Sequence, residues 1–200
     1  FRLQEKHPQA IMFASDLPLP SQFHQFMVEE AAVKKAILSF PPGSSGGPDG
    51  LRPQNLKDLV QSIESGSDFM SAITAFVNMV LSGRCPSEIA RFFFGGRLLS
   101  LNKKSGGIRP IAIGFTLRRL VSKCASFFGI SRLADYFNPV QLGVGTAGGC
   151  EAAVHAARRF LQSMPSDKVL VKLDFSNAFN SLHRFDMLHS VSERLPELYA

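Results

Sequence analysis

Asp174 closes the apolar part of 168-KVLVKLDFSNAFNSLHR-184, in which residues 169–173 are apolar apart from Lys172. A carboxylate at the end of a buried strand presents oxygen to a hard cation. Mg2+ needs few protein carboxylates when substrate phosphates complete its shell. That placement suits one half of a phosphoryl-transfer site. The same Asp would serve equally as a turn or helix-cap residue, a role that asks less of its surroundings. Phe179, five residues on, fits core packing by default and the wall of a ligand pocket otherwise.

A second group lies in 97-RLLSLNKKSGGIRPIAIG-114, where Lys103, Lys104 and Arg109 surround a Ser-Gly-Gly turn. Arg offers a planar fork to phosphate oxygens and Lys a mobile point charge. Charged hairpin tips are common, so a solvated turn is the plain alternative. Arg109 stands between Ile108 and Pro110 in an apolar strand, where a charge is expected to have a partner. Gly143, Gly145 and Gly148 match G-x-G-x-x-G with Asp167 downstream, but 136-YFNPVQL-142 puts Asn-Pro where that fingerprint needs a buried strand. His155, His183 and His189 have no Ser or Cys at triad spacing, and Ser176 is not in a nucleophile elbow. Cys85, Cys124 and Cys150 form no metal-ligand grouping, and their odd number and wide spacing favour a reducing compartment.

The elements that must position these groups follow from apolar spacing. Ser21 is placed to cap a helix with Phe26, Val33, Ile37 and Phe40 on one face. The run 41-PPGSSGGPDG-50 is a loop. Pro53 suits the first turn of a helix carrying Leu56, Leu59, Val60 and Ile63. A third helix carries Phe69, Ile73, Phe76, Val77, Val80 and Leu81 and stops at Gly83. Residues 97–114 read as a hairpin with a long basic tip. A helix with Leu117, Leu120, Val121, Cys124, Phe127 and Phe128 follows and ends at Gly129. A glycine-rich loop, a helix over 150–164, a strand over 168–174 and a last helix complete the chain. Helices and short strands without regular β-α-β alternation predict an α+β fold.

At 200 residues the chain is long enough for a real core, and 45% hydrophobic content excludes a disordered or fibrous protein. The net charge of +6 and pI near 9.5 favour an anionic partner, with nucleic acid ahead of membrane. No apolar run reaches membrane-spanning length. There is no secretory pattern, so an intracellular location, cytoplasm and nucleus, is expected. Phe1 in place of Met, and a helical pattern still running at Ala200, read as a piece of a longer polypeptide.

Four stretches in order, 46-GGPDGLRPQNLK-57, 98-LLSLNKKSGGIRPIAIG-114, 141-QLGVGTAGG-149 and 170-LVKLDFSNAFNSL-182, resemble the first half of a non-LTR (LINE-like) retrotransposon reverse transcriptase domain. The resemblance implies a right-hand polymerase, with residues 1–40 an irregular lead-in and N-terminal helix, 41–166 the fingers and 167–200 the start of the palm. Its implied activity is RNA-directed DNA synthesis from a primer 3′-hydroxyl, with RNA template, DNA primer, dNTPs and two Mg2+ ions. Asp174 then matches the first catalytic aspartate and metal ligand, and the Phe175 backbone carbonyl a further ligand. Phe179 matches the ring that excludes a 2′-hydroxyl. Arg109 and one of the two lysines, Lys103 preferred to Lys104, match residues on the incoming triphosphate. Gln141 and Gly143 belong to a loop near the template.

Two departures stand beside the match. Asn102 precedes Lys103 where the family often has Pro. No two aspartates are adjacent, so the family's later Asp-Asp stretch is not in these residues, and the chain alone is expected not to polymerise. The alternatives are a non-catalytic nucleic-acid-binding remnant of a decayed mobile element and a group II intron maturase-like protein.

Overall fold

Four helices build the core because each presents an apolar stripe to the others. The computed structural model describes residues 17–19, 25–62, 66–104 and 106–199. Ser21, Ile63 and Ser105, named above, lie outside the described residues. Helix α1 (Glu30–Leu38) buries Val33, Ala36 and Ile37, at spacings of three and one that share a face. Helix α2 (Pro53–Gln61) starts on Pro53, whose missing N–H costs nothing in a first turn. The long α3 (Gly66–Leu81) buries Met70, Ile73, Val77 and Val80, and Gly83 at φ 70° turns the chain out of it. These stripes meet Leu56 of α2 and Leu120, Val121 and Cys124 of α5 (Thr116–Phe137) in one cluster.

Between α3 and α5 stand a short helix α4 (Ser87–Phe93) and the antiparallel hairpin β1 (Gly96–Asn102) and β2 (Ile108–Gly114). The expected hairpin is present, in the register Leu101 opposite Arg109 and Asn102 opposite Ile108. Helix α4 had no expectation attached to it. It is seven residues long, with Ile89, Phe92 and Phe93 at helical spacing and Phe93 packed against the core, a run too short to stand out as a helix in the sequence. Beyond α5 come α6 (Gly149–Gln162), α7 (Ala178–Ser181), α8 (Arg184–Arg194) and a 3-10 turn at Pro196–Leu198. The architecture is a mixed α+β one, helix-rich with a two-stranded sheet.

Four expectations about the elements are corrected. The first helix begins at Glu30, not near Ser21, because residues 25–29 are held outside it. Phe26 stacks on Phe128 with centroids 4.2 Å apart, and the Asn78 amide occupies both backbone groups of Val28. Helix α5 runs through Gly129 to Phe137. Gly129 is buried, and a Cβ there would meet Leu195 Cδ1 at 3.3 Å, so this glycine marks a close approach within a helix and not a stop.

The third correction concerns residues 168–174, which form no strand. A strand exists by pairing its N–H and C=O groups with a neighbour. The sheet among the described residues is the β1–β2 hairpin, and neither of its strands pairs with this segment. The segment is irregular and exposed, with Val169 78%, Val171 70% and Leu173 76% accessible. The helix after the glycine loop begins as expected but ends at Gln162, two residues before Met164.

Candidate functional site

The hairpin tip is where the structure gathers predicted site residues. Lys103 N–H donates to Gly107 O (3.0 Å) and Gly106 N–H to Lys103 O (3.1 Å), closing the turn between β1 and β2. Gly106 and Gly107 both lie at φ 86°, a region that favours glycine, and so allow the turn without strain. Ladder register sets Arg109 opposite Leu101, beside the turn. The result is one cleft of about 440 Å3 lined by Leu101, Asn102, Lys103, Lys104 and Arg109. Three cations and no carboxylate line it.

Arg109 is exposed and has no ion-pair partner among the described residues. The expected partner is therefore missing. Alternation along β2 explains this: Ile108 and Pro110 are partly buried, and Arg109 between them points to the opposite, solvated face.

Asp174 lies in the exposed stretch that precedes α7. It is not the helix cap that the plain reading offered. Asn177, at φ 55°, stands at the N-cap position of α7, and its Oδ1 accepts a bond from Asn180 Nδ2 (2.9 Å). The Asp174 carboxylate accepts no hydrogen bond from the described residues, so both its oxygens are open to a ligand. Phe175 is 77% exposed and Phe179 98% exposed, so neither ring packs in the core. Core packing, the default for Phe179, is thereby overturned.

A Mg2+ ion fits this donor set only as an ion shared with substrate phosphates. Among the described residues no group of three or more His, Cys, Asp and Glu comes together to hold a metal. Asp174 Oδ atoms and the Phe175 carbonyl would contribute the protein's share, and phosphate oxygens or water the rest.

Gln141 and Gly143 form a local turn, in which Gly143 N–H donates to Gln141 Oε1 at 2.7 Å. That side-chain oxygen is already engaged, so Gln141 has its amide nitrogen left for a ligand. Residues 138–142 carry no strand, and the G-x-G-x-x-G match lacks the strand its dinucleotide role requires.

Sequence reasoning missed a second cationic cleft. It measures about 540 Å3 and is lined by the glycine-serine loop 43–47 with Arg52 and Arg97. In the sequence this loop reads as a breaker run and, at 46–57, as part of the resemblance, and the two arginines that line the cleft, Arg52 and Arg97, both follow it at unequal distances. No protein-family model matches the chain, and comparison with curated proteins and with solved structures likewise finds no match.

Proposed function

We propose that the chain supplies the fingers and the first palm segment of a reverse transcriptase of the non-LTR retrotransposon type, as its four stretches suggest. The observation that carries this reading is the hairpin-tip cleft, where Lys103, Lys104 and Arg109 converge without a compensating carboxylate. Such a cleft suits a triphosphate, which brings several negative charges and many acceptor oxygens to a small volume. Arg109 fixes orientation through its two-pronged donor face, and the lysines follow the phosphates on flexible stems.

In this reading Asp174 and the Phe175 carbonyl would hold Mg2+, with the nucleotide's phosphates supplying further oxygens. When bound, the ion supplies charge neutralisation at the phosphates and lowers the pKa of the attacking hydroxyl. The open Asp174 carboxylate and the exposed Phe179 ring, five residues apart, would serve the sugar-phosphate end of the substrate. A phenyl ring beside C2′ leaves no room for a hydroxyl there and so favours deoxynucleotides. Only one carboxylate of the implied pair lies in these 200 residues.

The test is nucleotide binding followed by calorimetry or fluorescence. dNTP binding should depend on Mg2+. Lys103→Gln and Arg109→Gln should each weaken it about tenfold, the size of a lost charge-assisted contact. Asp174→Ala should remove the Mg2+ dependence, and Phe179→Ala should let the ribonucleotide compete. Primer extension by this chain should not exceed that of its Asp174→Ala variant. RNA binding that is salt-sensitive, with no Mg2+-dependent nucleotide binding, would instead favour the non-catalytic remnant.

A further inference from the structure

The β1–β2 hairpin has two outer edges, and they differ in what they offer a further strand. Residues facing each other in an antiparallel pair alternate between bonded and non-bonded pairs. Lys103 N–H donates to Gly107 O, so the register makes Leu101–Arg109, Leu99–Ile111 and Arg97–Ile113 the bonded pairs. The N–H and C=O groups of Leu98, Ser100 and Asn102 therefore face outward. No hydrogen bond among the described residues uses them. On β2 the outward set is Ile108, Pro110 and Ala112. Pro110 has no N–H to offer, which breaks that edge at its centre. Gly96–Asn102 contains no proline and pairs residue for residue, so the β1 edge is whole.

The chemistry around this open edge is one-sided. Between Glu88 and Asp135 the sequence holds no carboxylate, while Arg91, Arg97, Lys103, Lys104 and Arg109 lie on the hairpin or just before it. None of the five is in an ion pair among the described residues. Exposed apolar side chains accompany them: Leu98 and Leu101 on β1, and Phe92 and Phe94 where α4 leads into it. A phosphate backbone would meet the cations and the N–H groups. Phosphates only accept, however, and would leave the three outward carbonyls and the leucines unanswered. An extended peptide brings a donor and an acceptor at every second residue, at the spacing of the edge itself. A second copy has the wrong sign, since its β1 brings another Arg97 and its exposed run 168–174 brings Lys168 and Lys172.

We propose that the outer edge of β1 accepts an acidic, extended segment of another protein as a third strand. Its backbone pairs with Leu98, Ser100 and Asn102. Arg97 and Leu98 are neighbours on a strand and so point to opposite faces, which selects acidic residues on one face of the segment and apolar ones on the other. This protein-docking edge goes beyond the nucleotide site at the hairpin tip and does not depend on it.

The test uses this chain and a fluorescein-labelled peptide of alternating Glu and Val, about eight residues long, with binding read by anisotropy. A counterpart with Lys in place of Glu should bind about tenfold more weakly or worse. N-methylation of one alternating set of peptide nitrogens should weaken binding by a similar factor, and of the other set should not, because only one set faces β1. In hydrogen exchange the amides of Leu98, Ser100 and Asn102 should be fast in the free chain and slow with the peptide. Ser100→Pro repeats on β1 what Pro110, directly opposite, does on β2, and should abolish binding with the fold retained by circular dichroism. Should that variant fail to fold, the methylated peptides decide on the unmodified chain. Equal effects of the two methylation sets, equal affinity for the acidic and basic peptides, or binding that leaves those three amides fast would overturn the assignment. So would single-stranded RNA that displaces the peptide and slows the same amides, since the edge would then serve nucleic acid. Self-association of the peptide-free chain that Ser100→Pro abolishes would give the edge to a second copy instead. A chain that binds neither peptide ends the proposal outright, while leaving the hairpin-tip nucleotide test untouched.

Discussion

Cys124, buried on α5 among Leu120, Val121 and the α1 and α3 stripes, shows how little of a residue's chemistry its type discloses. Burial disfavours the thiolate and pushes the Cys124 thiol from its ordinary 9.0 up to about 11. The folded state thus holds this proton more tightly than the unfolded chain does. The associated stability is fully present below pH 9.0 and is lost as pH rises through about 11. The urea midpoint should accordingly fall across that window, and Cys124→Ala should remove this part of the fall. In a thiol-labelling experiment near neutral pH the exposed Cys150 should react first. Cys124 should react slower by roughly two orders of magnitude or more, limited by opening of the core. Reaction of all three thiols at one rate would show that α5 is not packed as described. The same contrast governs the candidate site. Asp174, Arg109 and Lys103 are exposed, so nothing in the fold spends their charge, and they remain available to a ligand.

At the scale of elements, Asn78 decides where α1 begins. It lies on the apolar face of α3, 8% exposed, and its amide completes the backbone of Val28: N–H to Oδ1 at 2.8 Å, Nδ2 to O at 3.0 Å. Asn78→Ala should leave those two partly buried backbone groups without partners and cost about 1–3 kcal/mol, read from urea unfolding at constant m. A change within a few tenths would mean that water replaces the amide freely. This is also where sequence legibility stops. The stripes of α1, α2, α3 and α5 were readable because Leu, Val and Ile at helical spacing have one cheap solution. The hairpin was readable from Ser-Gly-Gly between two apolar runs, and with it the grouping of Lys103, Lys104 and Arg109. The Asn78 staple, the run of α5 through Gly129 and the irregular state of residues 168–174 were not. Each depends on what another part of the chain places alongside. A buried Asn looks like a surface residue until Val28 is beside it, and Gly129 looks like a stop until Leu195 crosses it. The second cleft was invisible for the same reason, since Arg52 and Arg97 are brought together only by the fold.

Over the whole molecule, the described surface divides into a half that has found its partners and one that has not. Helices α1, α2, α3 and α5 share the core, whereas α6 buries only Gly149, and Val154, Phe160 and Leu161 on it are 42–49% exposed. The next segment adds Val169, Leu170, Val171, Leu173 and Phe175, all more than half exposed. Single exposed apolar residues are ordinary, but a contiguous apolar run with unpaired backbone groups templates association. Val, Leu and Phe in alternation with no Pro have the composition that pairs with a second extended chain. The chain should therefore self-associate as concentration rises, detectable as a growing weight-average mass in sedimentation. Val171→Lys with Leu173→Lys places charge on that run and should reduce the association about tenfold, while the thermal midpoint stays within a degree or two because neither residue touches the core. A variant that lowers the midpoint sharply would show instead that these residues are packed within the monomer. An unmodified chain that stays monomeric at high concentration would show that the run is shielded. Either result would move residues 168–174, and Asp174 with them, out of solvent, and the open carboxylate on which the metal-binding reading depends would be lost.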